Sequence, residues 1–209
     1  MAGKKQIDSV DSKSLSLIYG QGRGWCFSQK DFGHLGSRSS IDNALHRLEN
    51  KGTIRRIYRG LYDYPRHSKL LNQIMGPDMD QVARALARKF NWYIQPTSQT
   101  AQNLIGLSTQ IVARFEYMSN GPSRSLCISD GNEIFFKSSN LKESGFKLNE
   151  SAILVQAIKG FESKEGLGQK EFNQLKRWLP DHLKERVLMD TKTVTGWVHD
   201  IIFKLCTKE

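Results

Sequence analysis

The sequence predicts an α+β protein, and three observations predict it. Apolar residues recur at helical spacing in several separate stretches. Residues 53–64, and again 111–137, carry β-branched and aromatic residues punctuated by turn dipeptides. Clear amphipathic helices then fill the C-terminal end. In the first 66 residues the order is short helix, turn, amphipathic helix and basic two-stranded hairpin, which is the order of a winged helix-turn-helix. A small antiparallel sheet with a helical C-terminal portion is expected after it. The predicted division is a winged helix-turn-helix at 1–66, a connector at 67–80, and an α+β domain at 81–209.

The elements follow in order. Ser12 to Tyr19 places Leu15, Ile18 and Tyr19 at helical spacing, a first helix expected to pack against Leu45 and Leu48. Gly20 to Trp25 is glycine-rich, but no apolar strand precedes it and no Lys-Ser/Thr follows it, so it reads as a flexible turn and not as a nucleotide loop. Trp25-Cys26-Phe27 forms a small strand able to join the hairpin, and Ser28 caps a short helix containing Phe32. After the turn His34-Leu35-Gly36, Ser37 is a good N-cap because its hydroxyl can accept a backbone N–H two or three residues on. Ile41, Ala44, Leu45 and Leu48 make one apolar stripe, with Ser39, Asn43, His46 and Asn50 opposite and Arg38 and Arg47 on the flanks. Lys51 and Gly52 mark the helix end.

The hairpin places Arg55 and Arg56 on its first strand, Arg59-Gly60 at its turn, and Leu61-Tyr62-Asp63-Tyr64 on its return, closed by Pro65. In such a module the helix enters the major groove while wing and helix ends hold phosphates. Arg38, Ser39, Asn43, His46 and Arg47 are therefore the expected helix contacts, and Arg55, Arg56 and Arg59 the wing contacts. Arg and Asn read guanine and adenine edges bidentately, which favours Arg38, Asn43 and Arg47 for bases and Ser39 for a phosphate. A solvated basic hairpin on an ordinary domain is the plainer reading; the order of helix, glycine and arginine-rich hairpin favours DNA. The charge agrees. The chain carries a net +10, and residues 1–66 hold 12 Lys/Arg against 6 Asp/Glu, while the longer remainder holds 19 against 15.

Beyond Pro65, Arg66 to Pro77 reads as a mixed connector with a short apolar stretch, Leu70, Leu71, Ile74 and Met75. Asp80 opens a helix with Val82, Leu86 and Phe90 inward and Arg84, Arg88 and Lys89 on a solvated outer face. Another helix runs from Thr97 or Ser98 to Ile105, ended by Gly106. Strands are expected at 111–118, 125–129 and 134–137, with Asn120-Gly121 and Asp130-Gly131-Asn132 as turns. Helices are expected at 150–159, 170–178 and 191–206.

No chemistry is expected. The five histidines show no metal spacing, and Cys26, Cys127 and Cys206 form no CxxC pair, so neither a metal site nor a disulfide framework is supported. Asp130, Glu133 and Lys137 invite comparison with a nuclease, but the spacing differs and Asp130 is explained by its turn. The expectation is a non-enzyme with no catalytic residue, no metal and no cofactor. The polar N-terminus has no signal-peptide core and no apolar run reaches membrane length, so a cytoplasmic protein without a membrane partner is expected.

The run Gly22–Gly24, Phe27, Lys30-Asp31-Phe32, Gly36-Ser37-Arg38, Ala44-Leu45, Arg47-Leu48, Gly52, Ile54, Arg56 and Arg59-Gly60-Leu61-Tyr62 resembles the N-terminal winged helix of AbiE-type (type IV) toxin–antitoxin antitoxins, more narrowly their DUF6088-like branch. Trp92 to Thr97, Ala101 and Leu104 to Gln110 resemble that family's antitoxin segment. The family commonly follows its Ser-Thr-Gln with Val-Pro, whereas this chain has Ile111-Val112, which puts the local turn in question. The two regions cover about residues 15–160. The resemblance implies a protein that binds repeated operator DNA ahead of its own operon, represses it, and neutralises a cognate nucleotidyltransferase-like toxin. Two copies on inverted or direct repeats fit a module of this size. The alternative is a winged-helix transcriptional regulator whose C-terminal domain binds a ligand or dimerises.

Overall fold

The computed structural model describes residues 9–108, 114–139 and 146–207. The chain is mixed α+β and divides into two compact units, Met1–Trp92 with Cys127–Asn132, and Tyr93–Leu126 with Glu133–Glu209. The first unit continues past the expected boundary at 66, through the connector and the helix beyond it.

In the first unit, α1 (Val10–Gln21) begins at Ser9, whose hydroxyl accepts the Ser12 N–H at 3.2 Å. Strand β1 (Cys26–Phe27) follows, then a 3-10 turn, Gln29–Phe32, fixed by the Ser28 N–H donating to the Asp31 carboxylate at 2.8 Å. Helix α2 (Arg38–Asn50) starts where Ser37 accepts from the Ser40 N–H, and Gly52 just beyond its end holds φ +69°. Strands β2 (Arg55–Tyr58) and β3 (Leu61–Asp63) form the basic hairpin, and β1 pairs with β3 in the register Cys26↔Asp63 to give the order β1-β3-β2. Ile18, Phe27, Phe32, Ile41, Leu45, Leu48 and Ile54 close one core between α1, α2 and the sheet. Each such side chain contributes about 1.5–3 kcal/mol of transfer free energy. The outer edge of β2 is covered as well, because the Ser129 N–H donates to the Ile57 carbonyl at 3.1 Å.

The connector is not irregular. His67–Ser68 (β4) and Gln73–Ile74 (β5) pair antiparallel, with Asn72 in the left-handed region closing the loop. Helix α3 (Met79–Phe90) is capped by Asp78 and ended by Asn91 at φ +59°. Its buried face is wider than a Val82, Leu86 and Phe90 stripe, since Ala83, Ala85 and Ala87 are buried too. The expected solvated basic face is corrected accordingly. Arg84 pairs with Asp80 at 2.6 Å, Arg88 donates to Asp31 at 2.6 Å and to the Cys26 carbonyl at 2.7 Å, and Lys89 donates to the Arg59 carbonyl at 2.8 Å.

The second unit holds β6 (Ile94–Pro96), α4 (Ser98–Ile105), β7 (Arg114–Ser119), β8 (Arg124–Cys127, all but its last residue) and β9 (Glu133–Ser138). Helices α5 (Asn149–Lys159), α6 (Gln169–Trp178), α7 (Lys184–Asp190) and α8 (Gly196–Cys206) follow. The sheet order is β6-β7-β9-β8, and β7 runs parallel to β9 in the register Tyr117↔Phe136. The expected antiparallel sheet is therefore corrected to a mixed one. A turn at Asn120-Gly121 suggests that consecutive strands pair, whereas β9 inserts between β7 and β8. Strand β6 is an addition to the expected set; its Pro96 sits at the sheet edge, where a missing N–H costs no ladder bond. Residues 111–113 of the expected strand lie outside the described residues. Ser151 to Ile158 of α5 are all buried, and Leu154, Ile158, Leu175, Val198 and Ile202 lie at the centre of the helical core. Among the described residues, no helix is long and apolar enough to cross a membrane.

Candidate nucleic-acid interface

Burying the Ile41, Ala44, Leu45 and Leu48 stripe turns the opposite face of α2 outward. Arg38, Ser39, Asn43 and His46 are all exposed on it, as the spacing predicts. Arg38 is 82% exposed and lies 3.7 Å from Asp42, one helical turn on, which is an acidic group on the same surface. His46 lies 3.8 Å from Glu49 and 3.2 Å from the Asn50 amide. These contacts are solvent-facing and weak, so the side chains can turn to an incoming ligand.

Arg47 departs from this set. Its Nε and Nη2 donate to both oxygens of Asp11 on α1, at 2.7 and 2.5 Å. That fork holds the Asp11 carboxyl below its usual range and raises the Arg47 guanidinium. Arg47 therefore joins the two helices, with 52% of its side chain still exposed. The partner lies 36 residues away in sequence, so no local pattern announces it.

The hairpin divides its arginines in the same way. Arg56 and Arg59 are exposed, but Arg55 donates through Nε and Nη2 to the buried Asp63 at 3.1 and 2.6 Å, and from Nη2 to the Met75 carbonyl at 3.2 Å. The hydrogen bonds to Asp63 raise the Arg55 guanidinium, against the opposing effect of burial. Arg55, an expected phosphate contact, is thus tied to Asp63 while 33% of its side chain stays exposed. A two-residue turn with regular pairing would set Arg56 opposite Asp63; the irregularity between Arg56 and Tyr58 shifts the register so that Arg55 takes that place. Beneath the pair, burial pushes the Cys26 thiol far up, with the Asp63 charge adding to it, so it stays a neutral, inert thiol.

The two carboxylates considered for catalysis each have local partners. Asp130 accepts the Asn132 N–H at 3.1 Å within its own turn, while Glu133 bonds to the Ser125 hydroxyl and lies 3.9 Å from Arg114. No group of three or more His, Cys, Asp or Glu able to hold a metal ion occurs among the described residues.

An α+β protein with an exposed polar helix face and a basic hairpin in one unit is the class these features define. Residues 13–187 match the model of DUF6088, a family of unknown function, and the chain belongs to that family. No curated protein matches the chain, and no solved structure does.

Proposed function

We propose that the chain is an AbiE-type antitoxin whose N-terminal unit is a winged helix-turn-helix that represses its own toxin–antitoxin operon. Helix α2 is the recognition helix and the β2–β3 hairpin the wing. Arg38 and Asn43 read base edges, Ser39 and His46 meet sugar-phosphate, and Arg56 and Arg59 hold phosphates from the wing. Arg47 and Arg55 hold these two elements in place. Two copies on repeated half-sites upstream of the operon supply specificity. The second unit neutralises the cognate toxin, a nucleotidyltransferase-like protein, in the cytoplasm, and no residue acts catalytically.

The observation that carries the DNA-binding part is the segregation on α2. Its apolar side chains are all buried, while Arg38, Ser39, Asn43 and His46 are exposed, as are Arg56 and Arg59 on the hairpin. The toxin part rests on the resemblance of the segments Trp92–Thr97 and Leu104–Gln110. The test is a mobility shift on the DNA upstream of the gene, titrated in salt against an unrelated duplex. Preference for the upstream DNA with steep salt dependence supports the reading; equal weak binding to both overturns it. Rescue of growth when the chain is co-expressed with the neighbouring toxin tests the second half.

A further inference from the structure

The β4–β5 hairpin presents an apolar tip to solvent. Leu70 is 93% exposed, Ile74 62% and Leu71 58%, and these three stand within five residues of one another. Ordered apolar side chains grouped in this way mark an interaction site, since scattered surface leucines need no explanation but a cluster on a fixed arm does. The arm is fixed. Its stem is closed by the pairs His67↔Ile74 and Ser68↔Gln73, by the Met75 N–H on the Arg66 carbonyl at 2.9 Å, and by the Arg66–Asp78 ion pair. Buried Pro65 and Pro77 flank it, and Arg55 bridges its Met75 carbonyl to Asp63 of β3.

The charge says which partner suits it. From Tyr64 to Pro77 the chain carries no acidic residue; Arg66 is paired with Asp78 just beyond it, which leaves Lys69 and His67 as the basic groups of the arm. A second copy of the arm would set like charges against each other, whereas a polyanion matches the basic flank. Nucleic acid offers phosphates for Lys69 and His67 together with stacked bases into which an apolar side chain can wedge. β-Ribbon readers use strands in the major or the minor groove, and Leu and Ile are residue types that unstack a base step from the minor groove.

Resting on the DNA-binding reading above, we infer that the β4–β5 arm is a second DNA contact, entering the minor groove beside the site read by α2, with Leu70 and Leu71 unstacking a base step and bending the duplex. Arg55 couples the arm to the sheet that carries Arg56 and Arg59, so arm and wing engage one duplex as a unit.

The experiment uses the full chain and a duplex from upstream of the gene, end-labelled for energy transfer and carrying 2-aminopurine at successive flanking steps. Wild-type protein is expected to shorten the end-to-end distance and to brighten 2-aminopurine at one step. Leu70→Ser with Leu71→Ser, at surface positions that leave the melting temperature unchanged, is expected to abolish both signals and weaken binding about tenfold. Arg56→Ala with Arg59→Ala is expected to flatten the salt dependence while the bound duplex still bends. If the leucine variant binds, bends and unstacks as wild type does, the inference is overturned while the DNA-binding reading stands. Loss of co-purification with the toxin in that variant, with DNA behaviour intact, also overturns it and makes the arm a protein-docking element. If wild type prefers no duplex at all, the DNA-binding reading itself fails, and the inference fails with it.

Discussion

Arg55 and Asp63 face each other across the β2–β3 hairpin through a bidentate pair, and the Asp63 side chain is only 2% exposed. An aspartate so buried is tolerable because the guanidinium satisfies both its oxygens. Removing Arg55 leaves Asp63 buried without compensation, and removing Asp63 leaves Arg55 only the Met75 carbonyl and part of its solvent. Asp63→Ala is expected to destabilise the first unit by about 2–3 kcal/mol, short of a fully buried pair because Arg55 is one-third exposed. Urea denaturation followed by tryptophan fluorescence, with Trp25 packed 4.6 Å from Phe27, reads the change. An unchanged midpoint would show that the pair does not hold the hairpin.

Arg47 and Asp11 form the corresponding tie between α1 and α2, but in solvent. Asp11 titrates below the usual 3.8 when folded, because Arg47 hydrogen-bonds its charged form. A depressed folded value contributes stability that is complete above 3.8 and is lost as pH falls through the lower folded value. Wild type and Arg47→Ala are therefore expected to differ in stability at neutral pH and to converge in acid. Equilibrium denaturation at a series of pH values checks this. The same variant should keep DNA affinity close to wild type, in contrast to Arg38→Ala and Asn43→Ala. A drop in affinity as large as theirs would return Arg47 to the reading face.

These two pairs also show what the sequence makes legible. Ser37, the Ile41 to Leu48 stripe and Gly52 announce α2 at both ends, since caps and periodicity act within one turn of chain. The exposure of Arg38, Ser39, Asn43 and His46 then follows from geometry alone. The pairings of Arg47 and Arg55 do not, because their partners are fixed by a helix crossing and by a register irregularity, neither of which is local. In the second unit the positions of β7, β8 and β9 are legible and their order is not. Insertion of β9 between β7 and β8 depends on which face and edge each strand finds, and turn dipeptides do not encode that.

Salt dependence separates the two kinds of arginine on the hairpin. Removing one phosphate-binding cation lowers the slope of log K against log salt by about 0.9. Arg56→Ala with Arg59→Ala is thus expected to lower it by about 2, nearly equally on any sequence, with stability unchanged because both side chains are exposed. Including Arg55→Ala would confuse the result by leaving Asp63 buried and unpaired in the hairpin. Filter binding from low to moderate salt gives the slopes; identical slopes for wild type and the double variant would remove the wing from the interface.

Asp190, at the end of α7, accepts the backbone N–H groups of Lys147 and Leu148 at 2.9 and 3.0 Å, just ahead of α5. Leu148, the residue at the start of that helix, has no side-chain acceptor to offer, so the distant carboxylate serves as its cap. Helix α5 is buried along nearly its whole length, which makes its entry point a place where an unsatisfied donor is costly. Asp190→Ala is expected to cost about 1–2 kcal/mol, and Asp190→Asn, which keeps one acceptor, less than half of that. Hydrogen exchange should report the change at the Lys147 and Leu148 amides first, while amides of α1 and α2 in the first unit keep their protection. If both variants leave those two amides protected, another acceptor caps α5.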